Sequence, residues 1–383
     1  MPVEGIHRPA WAEVSRAAIV ANASAIKAVI GATSLCAVVK ADGYGHGATL
    51  AAAAALDGGA DTLGVATIDE GVELRKAGFE APILVLAEVA PTSIPLALTH
   101  GLTVTVGSMA GATALVACAK DLGGRHLVHV KVDTGMHRMG VAPDDLDAVI
   151  DTVASSQHLD VEGLFTHLSV ADGASEEDRA FTTHQIRTFD ELVGSLRERG
   201  AAPRVVHCAN SAGTLGYPES HYSMVRVGLS LYGYLPDPWC GEALSSRGLA
   251  LEPAMTIRAR VVARRRLAAG ERPSYGRARA LERDATVVTV PLGYADGFPR
   301  ALFEGGAQVL IGGRRRSLAG VVTMDQLIVD VGDDDVALGD EVVLLGRQGD
   351  EVITADEWAE RDGTISWEIL TRIGPRVPRV AVR

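Results

Sequence analysis

At 383 residues the chain is long for one domain, and two is the natural expectation. Nearly half the residues (47%) are apolar and only 4% aromatic, so the core must be built from Ala, Val, Leu and Ile, which suits a parallel sheet wrapped in helices. A net charge of −12, from 48 acidic against 36 basic residues, excludes an extended duplex-binding surface and argues for no nucleic-acid partner.

In chain order, Trp11–Val14 is strand-like, and as an isolated strand it needs a sheet to join; the C-terminal part of the chain is the expected host. Between residues 35 and 228 eight short apolar runs follow: Leu35–Val39, Thr62–Ala66, Ile83–Ala87, Leu102–Val106, Leu127–Val132, Val161–Phe165, Val205–His207 and Met224–Val227. Ala-rich or amphipathic stretches separate them, as in Ala48–Ala55, Ile68–Lys76, Ala110–Ala119 and His184–Arg197. Strand and helix alternating eight times predicts a TIM-like (β/α)8 barrel over residues 15–240. An open doubly wound sheet is the alternative; the count of eight and the absence of a Gly-x-Gly-x-x-Gly turn after the first strand weigh against it.

After about residue 240 the texture changes. Met255–Leu267, Ala285–Val290, Gln308–Ile311, Gln326–Val331 and Glu341–Leu345 are strand-like, with helical patterns only at Ala355–Arg361 and Trp367–Ile373. Residues 1–14 plus 241–383 are therefore expected to form a mostly β domain. The basic runs Arg264–Arg266 and Arg314–Arg316 read as solvated strand or turn faces. Four cysteines without paired spacing, no leader before Trp11 and no apolar run of membrane length predict a cytoplasmic protein with no disulfide framework, no metal site and no membrane partner.

Barrels of this kind carry their reactive groups at the C-terminal ends of the strands. Lys40 closes the first run, in Val38-Val-Lys-Ala-Asp-Gly-Tyr44-Gly-His-Gly47. A lysine there is costly to desolvate unless its amine is neutral or bonded, and a Schiff-base former is both; the plainer alternative is a side chain reaching out to solvent. The three glycines allow the backbone to approach a ligand such as a phosphate. Lys131 lies near the end of the fifth run, His167 follows the sixth, His207 ends the seventh with Asn210 and Ser211 just beyond, and Arg226 is on the eighth. Singly, each has a structural explanation, but six on one rim are hard to assign to packing. Asn210–Thr214 would open a helix whose free amides suit a phosphate, with Gly228 and Leu229 offering a second pair; an ordinary helix cap is the competing explanation. Further on, Ser274-Tyr275-Gly276, Gly293-Tyr294-Ala-Asp296-Gly297 and Thr323-Met324-Asp325-Gln326 sit in turns.

Taken together, Val38–Gly47, Lys131–Gly140, Glu162–His167, His207–Ser211, Met224–Gly233, Ser274–Gly276, Gly293–Gly297, Met324–Gln326 and Arg376–Arg379 resemble, in order, the motifs of the alanine racemases. The resemblance implies pyridoxal 5'-phosphate as cofactor, alanine as substrate and a head-to-tail homodimer with shared active sites. It implies that Lys40 carries the cofactor and acts on the D-enantiomer, and that Tyr275, from the other subunit, acts on the L-enantiomer. Tyr44, Ser211, Gly228 and Leu229 would hold the phosphate, with Leu86, His167 and Asn210 also lining the cofactor. Arg226 would bond the pyridine nitrogen, Arg138 the phenolic oxygen and substrate carboxylate, and Met324 the carboxylate side. Lys131, His207, Tyr294 and Asp325 would be supporting residues, Lys131 at a position often carbamylated in the family.

The chemistry is coherent on its own terms. Racemisation needs two acid/base groups flanking one carbon. A phenol with an unperturbed pKa of about 10 must be tuned downward to act as a base, and His167 and Arg226 are the expected neighbours. A guanidinium donates without giving up its proton, which leaves the ring nitrogen largely uncharged and disfavours transamination. Pro375 stands where several relatives have a tyrosine, a departure that opens a broader or serine-preferring racemase as the second expectation. A decarboxylase would want an acidic group at Arg226 and has no need of Tyr275; a non-catalytic cofactor carrier has no need of the β domain; a barrel without cofactor would show no Lys40-dependent absorbance.

Overall fold

The computed structural model describes residues 7–383, so residues 1–6 of the expected segment 1–14 lie outside the described residues. It divides into two compact units: Ala18–Gly43 with Ala48–Glu252, and the described residues up to Ala17 with Tyr44–Gly47 and Pro253–Arg383. The first unit therefore runs past the expected boundary at 240. Buried Asn22 explains why: it donates to the Glu252 carbonyl (2.9 Å) and accepts from the Glu252 amide (2.8 Å), tying that segment to the first helix, Arg16–Ile30.

The barrel unit holds eight parallel strands. With β1 (Ala10–Ser15) preceding them, they are β2 (Ser34–Val38), β3 (Thr62–Val65), β4 (Ile83–Glu88), β5 (Thr103–Val106), β6 (His126–Lys131), β7 (Leu159–Phe165), β8 (Val205–His207) and β9 (Met224–Val227). Their order is β8-β7-β6-β5-β4-β3-β2-β9. Across the remaining seam Ser223 bonds Val206 through both its amide and its hydroxyl (3.1 and 2.7 Å), and the Arg226 amide reaches the Ala209 carbonyl (3.0 Å). The sheet thus returns on itself as a nearly closed barrel, and the open-sheet alternative is excluded. Continuous apolar strands such as Leu35–Val38 are buried because both sheet faces are covered.

The alanine-rich or amphipathic stretches are helices at Ala48–Asp57, Ile68–Lys76 and Met109–Leu122. The stretch at His184–Arg197 is the end of a longer helix, Glu176–Glu198, which starts early because Ser175 caps the Asp178 amide and three acidic residues fill its first turn. Arg16–Ile30, Ile94–Thr99 and Leu146–Ala154 are further helices.

In the second unit β1 lies between β10 (Met255–Arg260), antiparallel, and the chain's last strand (Arg379–Val382), parallel, so the isolated N-terminal strand joins the C-terminal sheet as expected. The run Met255–Leu267 is not one strand. It breaks after Arg260, and β11 (Ala263–Leu267) joins a separate three-stranded sheet with β12 (Ala285–Val290) and the strand Leu327–Gly332. Arg264–Arg266 lie on the exposed edge of that small sheet. Arg314–Ser317 is a strand hairpinned to Gln308–Ile311, which pairs with Glu341–Gln348 in the larger sheet. The helices Ala355–Asp362 and Ser366–Thr371 complete the unit.

Candidate active site

The expected site residues fall into two groups, one in each unit. In the barrel, β2 ends at Val38, and Lys40 opens a turn rather than closing the strand. Ala41, Asp42, Gly43 and Tyr44 all have φ between 51° and 60°, a run of left-handed conformation that non-glycine residues adopt only at a cost. Side chains hold it in place: Glu70 accepts from the Ala41 amide (2.7 Å), and Asp42 accepts from the Ala48 amide (2.8 Å). Burial, then the Arg138 guanidinium, pull the Lys40 amine below the usual lysine range; Glu70 opposes them and Arg226 adds to them. Lys131, at the end of β6, is pushed down to about 8 by burial first and then by Arg138 and Arg226. Four cations, Lys40, Lys131, Arg138 and Arg226, therefore share one electrostatic environment at the strand ends.

Arg226 is buried, and its guanidinium is the hub of the site. It donates to the Thr166 carbonyl (2.8 Å), the Cys208 carbonyl (3.1 Å), His207 Nδ1 (2.8 Å) and His167 Nδ1 (3.1 Å). Burial lowers it to about 10, so it remains charged near neutrality. Burial, reinforced by Arg226, holds His167 and His207 well below the usual histidine value, so both are neutral acceptors. At the helix Ser211–Gly216, Asn210 caps the Gly213 amide (2.9 Å), and Ser211 Oγ accepts from the Gly228 amide (3.1 Å). The two expected phosphate loops are thus bonded to each other. Leu229 is buried, and Leu86 packs beside Cys36, Leu84 and Met224.

In the β unit, Tyr275 is 75% exposed, Met324 52% and Tyr294 42%. Adjoining loops present them. Tyr294 and Ala295 donate their amides to the Thr323 and Met324 carbonyls (3.0 Å each), and Ser274 Oγ bonds the Val321 carbonyl (2.5 Å). Asp325 accepts from Arg376 (2.6 Å). The sequence reading left out Asp296 as a site residue. It is fully buried and accepts both arms of Arg8 (2.6 Å each) and the Gly293 amide (2.9 Å), anchoring the turn that carries Tyr294.

Two of the three glycines after Lys40 are packed closely against protein. Gly43 has φ +60° with Ala48 and Ala51 against it, and Gly45 has φ +79°, where an added Cβ would collide with the Leu370 carbonyl. Arg379 bonds the Gly45 carbonyl (2.8 Å) in the same unit, and Tyr44 is buried, with its phenol raised to about 12.

The family profile of the alanine racemase N-terminal domain matches residues 14–236, and that of the C-terminal domain residues 254–381. The chain belongs to the alanine racemase family. An alanine racemase of Symbiobacterium thermophilum is 46% identical over 99% of this chain and 98% of its own length. The solved alanine racemase of the D-cycloserine producer Streptomyces lavendulae superposes with a TM-score of 0.91 at 36% identity, covering 99% of this chain and 98% of that one. That of Bacillus anthracis, solved with bound L-Ala-P, gives 0.91 at 36% over 99% and 96%. A histidine racemase of Leuconostoc mesenteroides gives 0.88 at 30% over 98% and 99%. As a member of the alanine racemase family, this chain is an isomerase acting on amino acids.

Within that family frame, the barrel group carries two residues that the sequence reading did not single out. His129, on β6, bonds His207 (2.8 Å) and Glu162 (3.3 Å). The alternation of β6 was the available signal, because His129 and Lys131 sit two apart and share a strand face. No group of three or more His, Cys, Asp or Glu suited to a metal occurs among the described residues, and no described helix is long and apolar enough to cross a membrane.

Proposed function

We propose that the chain interconverts L-alanine and D-alanine with pyridoxal 5'-phosphate as cofactor, as a cytoplasmic homodimer that supplies D-alanine for peptidoglycan. The observation that carries this reading is the cationic cluster of Lys40, Lys131, Arg138 and Arg226, in which burial and neighbouring charge push a lysine amine toward neutrality. That donor set fits an anionic, phosphate-bearing aldehyde. Lys40 would hold it covalently, and Tyr44, Ser211, Asn210, Gly228 and Leu229 would seat its phosphate. Leu86 and His167 would line its ring.

The cofactor supplies an electron sink that makes the Cα proton of a bound amino acid removable. The neutral amine of Lys40 takes or returns that proton on one face. Tyr275 does so on the other, from the partner subunit; its exposure within one protomer, with that of Met324 and Tyr294, supports a surface completed by a second chain. Arg226 would donate a hydrogen bond to the ring nitrogen while keeping its own proton. Arg138 and Met324 orient the substrate carboxylate, with Lys131, His207, Tyr294 and Asp325 behind them.

Purified protein given pyridoxal phosphate is expected to show an absorbance band at about 420 nm and to convert L-alanine to D-alanine in a chiral product assay. Lys40→Ala removes both. Turnover surviving in that variant takes Lys40 out of the mechanism, and absence of alanine racemisation in the parent overturns the reading. A broader substrate range is the second reading. Pro375 is exposed and offers no hydroxyl where some relatives have tyrosine. Serine and larger amino acids belong in the same assay.

A further inference from the structure

Arg226 is buried, yet all four of its acceptors are neutral. A charge-bearing partner lies further along the same chain of hydrogen bonds. Arg226 donates to His207 Nδ1, His207 Nε2 meets His129 Nδ1 (2.8 Å), and His129 Nε2 meets Glu162 Oε2 (3.3 Å). Glu162 Oε1 in turn accepts from Arg204 (2.6 Å), whose side chain is 57% exposed just before β8 begins. The direction of every link is forced. A guanidinium can only donate and an ionised carboxylate can only accept, so both imidazoles between them must be neutral and carry their proton on Nε2. The hydrogen bond from His129 is the largest influence keeping Glu162 below the usual carboxylate range against its burial, and Arg204 adds to it.

The surroundings are shaped for this relay. Gly163, next to Glu162 on β7, leaves room for the His129 ring, which a Cβ there would strike. Phe165 stacks on His207, with centroids 4.6 Å apart and planes 7° from parallel. Arg226 lies over the same phenyl ring, 5.2 Å from its centre.

We propose that Glu162 is a positioning residue for the reaction: acting through His129 and His207, it fixes the orientation and sustains the charge of Arg226. This rests on the reading above that Arg226 faces the cofactor ring. A chain of aligned hydrogen bonds ending in a carboxylate polarises each imidazole toward the guanidinium, and so gives a buried cation an anionic counterpart without direct contact. The direct neighbours of Arg226 stay neutral, and nothing competes with the ring nitrogen for its remaining protons.

Two variants separate charge from connectivity. Glu162→Gln keeps an acceptor for His129 but removes the charge; Glu162→Leu removes both. With ¹⁵N-labelled histidine, the parent protein is expected to show His129 and His207 as neutral Nε2–H tautomers from pH 6 to 9, with or without cofactor. In Glu162→Gln, kcat is expected to fall about three- to tenfold with KM for alanine within about twofold, and in Glu162→Leu to fall further, with the cofactor band shifted. An Nδ1–H or cationic ring in the parent, or kcat within about twofold of the parent in both variants with the cofactor band intact, overturns the relay. A parent protein that takes up no pyridoxal phosphate overturns the functional reading instead, whatever the imidazole tautomers.

Discussion

Lys131 illustrates how far one side chain departs from its ordinary chemistry when burial and like charge act together. With its amine lowered to about 8, the neutral form predominates above that pH and is lost as pH falls through it. A neutral amine adds to carbon dioxide: a nitrogen–carbon bond forms, the nitrogen gives up a proton, and the product is an anion. The Arg138 and Arg226 charges that disfavour an ammonium here would favour that anion. Under ¹³C-bicarbonate, a carbamate resonance is therefore expected to grow between pH 7 and 9 and to be missing from Lys131→Ala. A signal that is flat with pH, or unchanged in the variant, contradicts this.

At the scale of elements, the turn after β2 is held by the start of the helix Ile68–Lys76. Thr67 and Glu70 form a capping box: Thr67 Oγ1 accepts from the Glu70 amide (3.3 Å), and Glu70 accepts from the Thr67 and Ala66 amides (3.0 and 2.8 Å). The other oxygen of Glu70 bonds the Ala41 amide in the left-handed turn that carries Lys40. Two substitutions in one cap should thus differ in kind. Thr67→Ala removes a cap alone and is expected to lower unfolding free energy by about 1 kcal/mol in urea, with kcat unchanged. Glu70→Ala also releases the Lys40 turn, and is expected to lower kcat well beyond what its stability loss explains. Equal activity in the two variants would show that the turn keeps its shape unaided.

For the whole molecule, the proposed sharing of active sites between subunits has a decisive test. A Lys40→Ala chain still carries Tyr275, and a Tyr275→Phe chain still carries Lys40. If each site draws one base from each protomer, randomly mixed dimers of the two inactive variants recover about a quarter of parental activity, since half the dimers are mixed and each has one intact site. Sites built within one chain recover nothing. The same experiment tests Met324 and Tyr294 indirectly, because their exposure has the same explanation.

The eight barrel strands were legible within two residues, because a strand buried on both faces must be a short, nearly continuous apolar run. The string around Lys40 and the later motifs, taken in order, pointed to the family because each is a contiguous run that can be read without knowing the fold. What stayed hidden depended on residues far apart in the chain. Nothing local shows that a Cβ at Gly45 would strike the Leu370 carbonyl, and Met255–Leu267 reads as one strand until its halves join different sheets. His129 and Glu162 are ordinary residues on ordinary strands in the sequence, and only the register of β6 against β7 sets them in line with His207 and Arg226. Local pattern is set by which faces are dry, and sequence records that directly. Hydrogen bonds between strands reward pairs of positions that no local pattern encodes, so only the tertiary structure could reveal them.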